Sequence, residues 1–144
     1  MKLAIASDHA GYELKEALKR ALPEHEFSDY GTNSKASMDY PDTGFPAARA
    51  VAKGECEMGI LICGSGIGMS ITANKVPGIR AALCSNTDVA RLSRKHNNAN
   101  ILVLAGRFTA KEYALEIVKE WLKTPFEGGR HLNRLNKIHQ GERK

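Results

Sequence analysis

The sequence has few cysteines, few aromatic residues and no long hydrophobic run, and each shortage excludes a class of protein. Its three cysteines are an odd number without CxxC spacing, so neither a disulfide framework nor a zinc knuckle is indicated. No apolar run approaches the ~20 residues that a membrane-spanning helix requires. The apolar segment in MKLAIASDHAG ends at Asp8 and is too short for a signal peptide. We therefore expect a cytoplasmic chain with free thiols and no membrane partner.

The distribution of charge and the scarcity of aromatic residues argue against nucleic acid as a partner. The net charge is +5, but most basic residues have acidic neighbours, as in EYALEIVKEWLK, which is typical of solvated helix faces. Aromatic residues make up 6% of the chain and none interleaves the basic C-terminal tail, so stacking on bases is not indicated. In that tail Arg130, Arg134 and Lys137 recur at helical spacing and could meet an anion.

Strand-like and helix-like segments alternate along the chain. At 144 residues, 42% of them hydrophobic, the chain has the length of one domain spanning residues 1–144. Short apolar runs predict five strands, at residues 2–7, 26–31, 58–63, 79–84 and 100–105. Apolar residues at helical spacing predict helices within residues 11–22, 47–54, 69–75, 87–96 and 112–123, followed by a C-terminal helix. Thr109 and Glu112 have the spacing of a capping box at the start of the last helix in that series.

This alternation predicts an α/β fold. Several of the strands are apolar on both faces, as buried parallel strands must be. We expect a single-domain three-layer sandwich around a five-stranded parallel sheet, Rossmann/flavodoxin-like. If the strand order is 2-1-3-4-5, strands one and three are neighbours at the point where the winding reverses, which is where ligands bind in such sheets.

Chemically useful side chains follow the predicted strands. Asp8 and His9 follow the first, residues 63–68 the third, Ser85 and Asn86 the fourth, and Gly106 and Arg107 the fifth. Because the carboxyl ends of parallel strands share one edge of the sheet, we expect Asp8 and His9 beside Cys63.

The loop CGSGIGMS at 63–70 does not match the common nucleotide-binding loops. A Walker A loop needs G-x-x-x-x-G-K-[ST], but Met69 stands five residues after Gly64 and Lys75 lies in the next helix. A dinucleotide fingerprint needs G-x-G-x-x-G, and here the third glycine comes one residue early. The remaining interpretation is that the loop forms a general anion site. Its backbone N–H groups are not obstructed by side chains and lead into a helix N-terminus.

Each candidate side chain also has a purely structural interpretation. A lone cysteine at a strand end, such as Cys63, is more often a small buried hydrophobe, and Asp8 could simply cap the following helix. His9 and His96 could be satisfied within a helix end or a loop, and the arginines could be surface residues. Met69 and Ile71 are expected in the core. Next to exposed N–H groups, however, a thiolate is stabilised and can act as a base.

Five blocks of sequence are distributed along nearly the whole chain: SDHAG at 7–11, DYPD at 39–42, ILICGSGIGMSITANKVPGIRAALC at 60–84, ARLSRKHNNANILVLAGR at 90–107 and FEGGRH at 126–131. In this order they resemble the type B ribose-5-phosphate isomerases, a family that includes the galactose-6-phosphate isomerase subunits. The resemblance implies a metal-free aldose–ketose isomerase of the non-oxidative pentose phosphate pathway, which interconverts ribose 5-phosphate and ribulose 5-phosphate.

The resemblance also implies residue roles. The cysteine matching Cys63 moves the proton between C2 and C1, and residues matching Asp8, Ser65 and His96 assist opening of the furanose ring. The enediolate oxygen is held by the loop of Gly64, Gly66, Ile67 and Gly68. Phosphate is bound by residues matching His9, Arg107, Arg130 and Arg134, and pocket positions match Tyr40 and Asn97. No metal or other cofactor is implied.

Assembly and branch membership follow from the same resemblance. Similar enzymes are homodimers or dimers of dimers with pockets shared between subunits, so the segment from His96 to Arg107 could serve a partner's pocket. One branch uses a glutamate where this chain has Met69, and methionine cannot take a proton, so Cys63 is the expected base. The galactose-6-phosphate subunits divide their catalytic positions between unlike chains, whereas this chain retains them together. The sequence leaves open whether the chain forms a dimer or a tetramer, and whether it also accepts six-carbon sugar phosphates.

A function of another class remains as the alternative. In a flavodoxin-like binding or signalling module the glycine loop would hold a phosphate and Cys63 would be inert. The acid, thiol and imidazoles along one sheet edge favour an enzyme over a module.

Overall fold

A computed structural model describes residues 1–142 of the chain. Five strands are present, β1 (Lys2–Ser7), β2 (Glu26–Asp29), β3 (Met58–Cys63), β4 (Ala81–Leu83) and β5 (Ile101–Ala105). Six helices accompany them, α1 (Tyr12–Ala21), α2 (Pro41–Ala52), α3 (Ile67–Asn74), α4 (Thr87–Asn97), α5 (Lys111–Lys123) and α6 (Arg130–Gly141), with a short 3₁₀ turn at His9–Gly11. None of the helices within residues 1–142 is both long enough and apolar enough to cross a membrane.

All five strands are parallel and lie in the order β2-β1-β3-β5-β4. The expected order 2-1-3-4-5 is therefore wrong at its last two positions, although β1 and β3 are neighbours as predicted. The physical reason is burial. β5 is almost entirely buried and takes the inner position, where both of its edges are paired. The three-residue β4 is only partly covered and forms the edge, which suits a short strand.

The core lies on both faces of this sheet, so the predicted three-layer sandwich is confirmed. Alternate strand residues point to opposite faces. Leu3, Ile5 and Ile60 pack against the layer that contains α1, α4 and α5, including the fully buried Trp121. Ala4 belongs to the opposite cluster, with side chains of α2 and α3. Both faces of the strands are apolar because both are covered.

Two predicted helix starts are wrong. α2 begins at Pro41 rather than near residue 47 and contains Pro46. It begins early because Thr43 is buried and its Oγ1 donates to the carbonyl of Ser7 at 3.0 Å, a tertiary contact that outweighs the local signal of the proline. The expected capping box is absent: the residue that caps α5 is Ala110, without a side-chain hydrogen bond, so Thr109 lies one position too early.

Candidate active site

The carboxyl ends of β1 and β3 lie side by side, which brings Asp8 next to the Cys63 segment as predicted. Ser7 pairs with Ile62, and the backbone N–H of Asp8 donates to the carbonyl of Ile62 at 3.2 Å. Asp8 Oδ1 accepts hydrogen bonds from the N–H groups of Ala10 and Gly11 at 3.0 and 3.1 Å. Asp8 thus caps the 3₁₀ turn, so its structural interpretation is confirmed, and this role fixes its buried carboxylate at the sheet edge.

Cys63 is the last residue of β3 and is almost fully buried, with 4% of its surface exposed. Its carbonyl accepts a hydrogen bond from Gly106 N–H at 2.8 Å, and the carbonyl of Gly64 accepts one from Arg107 N–H at 3.0 Å. These two bonds fasten the loop after β3 to the loop after β5. As a result the Arg107 guanidinium lies along Gly64, where an added Cβ would be 3.2 Å from Nη1.

The glycine loop leads into α3 as predicted. Gly66 precedes the helix with a φ of +79°, a left-handed conformation that favours glycine. A Cβ at Gly66 would also lie 3.2 Å from the carbonyl oxygen of Leu104. The hydroxyl of Ser65 accepts from Ile67 N–H at 3.2 Å. The first N–H groups of a helix have no acceptor within that helix, so this loop offers donors to an anion.

His9 and Tyr40 reach the site from the segment between β1 and α2. His9 Nδ1 accepts a hydrogen bond from the backbone N–H of Met38 at 3.2 Å. A neutral imidazole that accepts at Nδ1 carries its proton on Nε2, which is then a donor suited to a phosphate oxygen. The ring of Tyr40 lies over Gly68. Thr43, which the sequence reasoning missed, holds the start of α2 against β1 through its bond to Ser7.

His96 and Asn97 lie at the opposite end of the sheet from Cys63. They end α4, and the following turn meets the amino end of β3, where Asn100 C=O accepts from Gly59 N–H at 3.0 Å. The five residues of β5 separate the two ends by about 13 Å at the ordinary rise of a parallel strand. One chain therefore does not bring His96 to Cys63, and the expectation that the imidazoles share one sheet edge with the thiol is wrong for His96.

Arg130 and Arg134 lie with this second group, in the first turns of α6. Both are exposed and stand four residues apart, so they share one helix face as predicted. His131, between them in sequence, is buried and stacks on His96, with ring centroids 4.3 Å apart and an interplanar angle of 18°. The sequence reasoning missed His131; its spacing of four from the buried Leu135 was the available signal.

Glu127 completes the second group. Its Oε1 lies 3.5 Å from His131 Nε2, and the ligand atoms of His96, Glu127 and His131 are within 4.8 Å of one another. Metal-binding imidazoles direct an in-plane nitrogen lone pair at the ion. Two nearly parallel stacked rings cannot both place one ion in their planes, so this geometry favours stacking over a cation site.

The remaining sequence expectations have mixed outcomes. Met69 is fully buried as predicted, but Ile71 is 58% exposed, so its assignment to the core is wrong. Asn86 is a helix cap, since its Oδ1 accepts from Val89 N–H at 2.8 Å. Cys84 is buried, which raises the pKa of its thiol to about 11. A hollow of about 670 Å³ lies between α1 and the start of α5 and does not include Cys63.

Comparison with known proteins is consistent with this geometry. The family model described as Ribose/Galactose Isomerase matches residues 3–138. Ribose-5-phosphate isomerase B of Escherichia coli is 46% identical over 139 residues, which cover 95% of this chain and 93% of the relative.

Two solved structures have the same fold over nearly their full length. Clostridium thermocellum ribose-5-phosphate isomerase B superimposes with a TM-score of 0.98 at 52% identity, covering 99% of this chain and 98% of that one. The Mycoplasma genitalium ribose-5-phosphate isomerase B structure contains bound ribulose-5-phosphate and gives a TM-score of 0.95 at 42% identity, with 99% and 97% coverage. The chain therefore belongs to the ribose/galactose isomerase family, among the type B ribose-5-phosphate isomerases.

Proposed function

We propose that this chain interconverts ribose 5-phosphate and ribulose 5-phosphate through an enediolate, with Cys63 as the base. The single observation that carries the proposal is the position of Cys63 at the end of β3, directly before the glycine loop and beside Asp8 and Arg107. Family membership and a ribulose-5-phosphate complex of a relative support the substrate.

The reaction requires a base and an oxyanion site. The base removes the proton from C2 of the open-chain aldose, and the carbonyl oxygen O1 becomes an enediolate oxygen. O1 then gains a proton while O2 loses one, and the base delivers a proton to C1, which leaves the carbonyl of the ketose at C2. A hydrogen next to a carbonyl is weakly acidic unless this oxygen is stabilised as it forms, and one preorganised donor supplies roughly 3 to 4 kcal/mol. In the proposal Cys63 is the base and the N–H groups of residues 64–68 hold the oxygen.

The phosphate group needs its own cationic site, away from the reacting carbons. His9 presents Nε2–H and Arg107 presents a guanidinium at the sheet edge, and planar guanidinium groups suit phosphate oxygens. Tyr40, packed over Gly68, lines the same edge. Arg130 and Arg134 are the further proposed phosphate ligands.

The ring-opening step leads us to propose a homodimer. In this proposal Asp8, Ser65 and His96 assist ring opening, yet His96, Asn97, Arg130 and Arg134 lie at the other end of the sheet from Cys63. A second copy of the chain, related by two-fold symmetry, would supply these groups to the Cys63 edge and receive them in return. The separation of the two groups of residues within one chain is what supports this arrangement.

Exposed apolar side chains mark the surface for this contact. They lie on α3, at the end of β4 and on α4: Ile67, Ile71, Leu83, Val89 and Leu92 are 36 to 58% exposed. Leu83 packs against Gly66, so the surface is continuous with the glycine loop. A large exposed apolar surface next to a site is typical of a protein interface.

A catalytic thiol also supports a cytoplasmic location, because a reducing compartment keeps it from oxidation. We propose one domain over residues 1–144, with no metal and no nucleic acid, acting as a homodimer or a dimer of dimers.

Two experiments test these proposals. Incubation with ribose 5-phosphate should give ketose, and a protein that only binds the sugar phosphate would instead be the alternative binding module.

For the shared site, Cys63→Ala and His96→Ala proteins should be unfolded together and refolded. If each site uses both chains, mixed dimers regain one intact site, and activity should return to about a quarter of the wild-type value at equal mixing. If no activity returns after mixing, the proposal that each site uses both chains is wrong.

A further inference from the structure

We infer that His131 is a positioning residue that holds the His96 imidazole for opening of the sugar ring. The inference rests on the proposed function, and it assigns a role to a residue that touches His96 rather than the substrate. His131 is 5% exposed and its ring is stacked on that of His96 at 4.3 Å.

The stack fixes the plane of the His96 ring. His96 is half-buried and lies in the last turn of α4, where a side chain without a neighbour can exchange between rotamers. A ring that must exchange protons with two sugar oxygens has to be held close to one orientation, because a misplacement of about 1 Å can cost about 100-fold in rate. The face of His131 excludes most alternative orientations.

Glu127 fixes His131 in turn. Its carboxylate lies 3.5 Å from His131 Nε2, and its backbone N–H donates to the carbonyl of Lys95 at 3.1 Å. Glu127 therefore contacts His131 through its side chain and α4 through its backbone.

The frame around the two rings does not depend on their stacking. The buried Arg94 donates from Nε to the carbonyl of Thr124 at 3.1 Å and from Nη1 to the carbonyl of Ala99 at 2.7 Å. The first bond joins α4 to the segment that leads into α6, and the second joins α4 to the turn before β5. Leu135, one turn after His131, is also buried. Removal of the His131 ring should therefore leave the fold in place.

Substrate chemistry separates ring opening from proton transfer. Ribose 5-phosphate is a furanose closed through O4 and must be opened before C2 can react. Ribulose 5-phosphate has its O5 esterified and cannot form a five-membered ring, so it enters the enediolate step already open. Exchange of its C1 hydrogen with solvent deuterium needs the base and the oxyanion site alone.

The experiment compares these two reactions in His131→Ala, His131→Phe and Leu135→Ala. In His131→Ala, turnover of ribose 5-phosphate should fall at least about tenfold, while deuterium exchange into ribulose 5-phosphate stays near the wild-type rate. His131→Phe retains a flat ring and should recover most of the turnover. Leu135→Ala loosens the same helix face without touching His96, so its two rates should change together. Thermal unfolding checks that each variant is folded.

Glu127→Ala is a second variant in case His131→Ala does not fold, because the Glu127 side chain is 51% exposed. It should lower ribose turnover selectively, by less than His131→Ala does. Equal loss of both rates, no loss of either, or a His131→Phe protein no better than His131→Ala would overturn the positioning role. If the wild-type chain catalyses neither reaction, the proposed function fails, and the positioning role fails with it.

Discussion

The ring of Tyr40 occupies the space in which a side chain at Gly68 would begin. A Cβ at residue 68 would lie 2.6 Å from Cε1 of Tyr40 and 2.8 Å from its hydroxyl oxygen. Gly68 is in the first turn of α3, so the absence of its side chain lets the start of α2 close over the glycine loop. Tyr40 as a whole is 38% exposed, which leaves it able to contact a ligand at this edge.

We expect Gly68→Ala to raise KM several-fold by displacing Tyr40, with little loss of stability. Alanine stabilises a helix interior by roughly 0.5–1 kcal/mol relative to glycine, and this offsets part of the strain that the new Cβ creates against Tyr40. Steady-state kinetics and urea unfolding measure the two effects. Tyr40→Ala should raise KM in the same way, and the double variant should be no worse than Tyr40→Ala alone, because the lost contact is shared. Fully additive effects on KM would argue against the contact.

The position of Arg130 predicts a binding defect rather than a chemical one. Phosphate contacts far from the reacting carbons hold ground and transition states alike, so Arg130→Ala should mainly raise KM. Arg134→Ala should behave similarly but more mildly. Lys137→Ala, an exposed cation further along α6, is the control and should be close to wild type. A fall in kcat alone for Arg130→Ala would contradict the proposed role.

The hydrophobic pattern was sufficient to predict the strands that carry the site. Residues 2–7 and 58–63 were predicted as strands and form β1 and β3 with those bounds, because an apolar run of four to six residues fits a strand that is covered on both faces. That pairing correctly placed Asp8 beside the glycine loop.

The strand order and the positions of the two stacked histidines depend on long-range contacts, which the local sequence pattern does not contain. β4 and β5 both look like buried strands in the sequence, and only packing decides which of them takes the inner position. The pattern of elements placed His96 with Cys63 along one sheet edge, and only the family resemblance implied that His96 could serve a partner's pocket. The direction of α4 carries His96 to the amino end of the sheet. The helical spacing of His131 and Leu135 indicates a buried face of α6, but the stacking of His131 on His96 could not be predicted, because it joins two helices that are distant along the chain.

The buried ammonium of Lys15 should make the stability of the fold depend on acid pH. Its Nζ is 2.6 Å from Asp29 Oδ2 and 2.7 Å from Glu16 Oε2, and the side chain is fully buried. The hydrogen bond from Lys15 lowers the pKa of Glu16. Burial alone raises the pKa of Asp29, but hydrogen bonds from Lys15, Lys19 and Gly31 N–H outweigh burial and lower it overall.

Both carboxyl groups therefore bind protons more readily in the unfolded chain, so their stabilisation is present above about pH 5 and is lost as the pH falls toward 3. Lys15→Met should lower the free energy of unfolding by about 1–3 kcal/mol at pH 7, and this difference should shrink at low pH. Lys19→Met should lower the free energy of unfolding by less, because the Lys19 side chain is 30% exposed. Urea unfolding at pH 7 and pH 4 provides the comparison, and a difference that does not change with pH would be inconsistent with this ion pair.

Activity should not depend on a metal ion. Backbone N–H donors can hold an enediolate oxygen without a Lewis acid, so turnover should survive dialysis against EDTA. Loss of activity with the chelator, and its restoration by a divalent cation, would show that the mechanism is wrong.

Replacement of Cys63 is the most direct test of the mechanism. If its thiolate takes the C2 proton, Cys63→Ala should lower kcat by about 10²- to 10⁴-fold with little change in KM, since the phosphate site is untouched. The fold should persist, because the hydrogen bond between the Cys63 carbonyl and Gly106 N–H involves only the backbone.

Cys84→Ala is the matched control for Cys63→Ala. Cys84 is also a buried thiol after a strand, but burial raises its pKa to about 11, so it stays protonated and should be dispensable for turnover. Exchange of the C2 hydrogen of ribose 5-phosphate with solvent deuterium should disappear in Cys63→Ala and persist in Cys84→Ala. A folded Cys63→Ala enzyme that retains most of its turnover and exchange would move the base elsewhere, to Asp8 or His96.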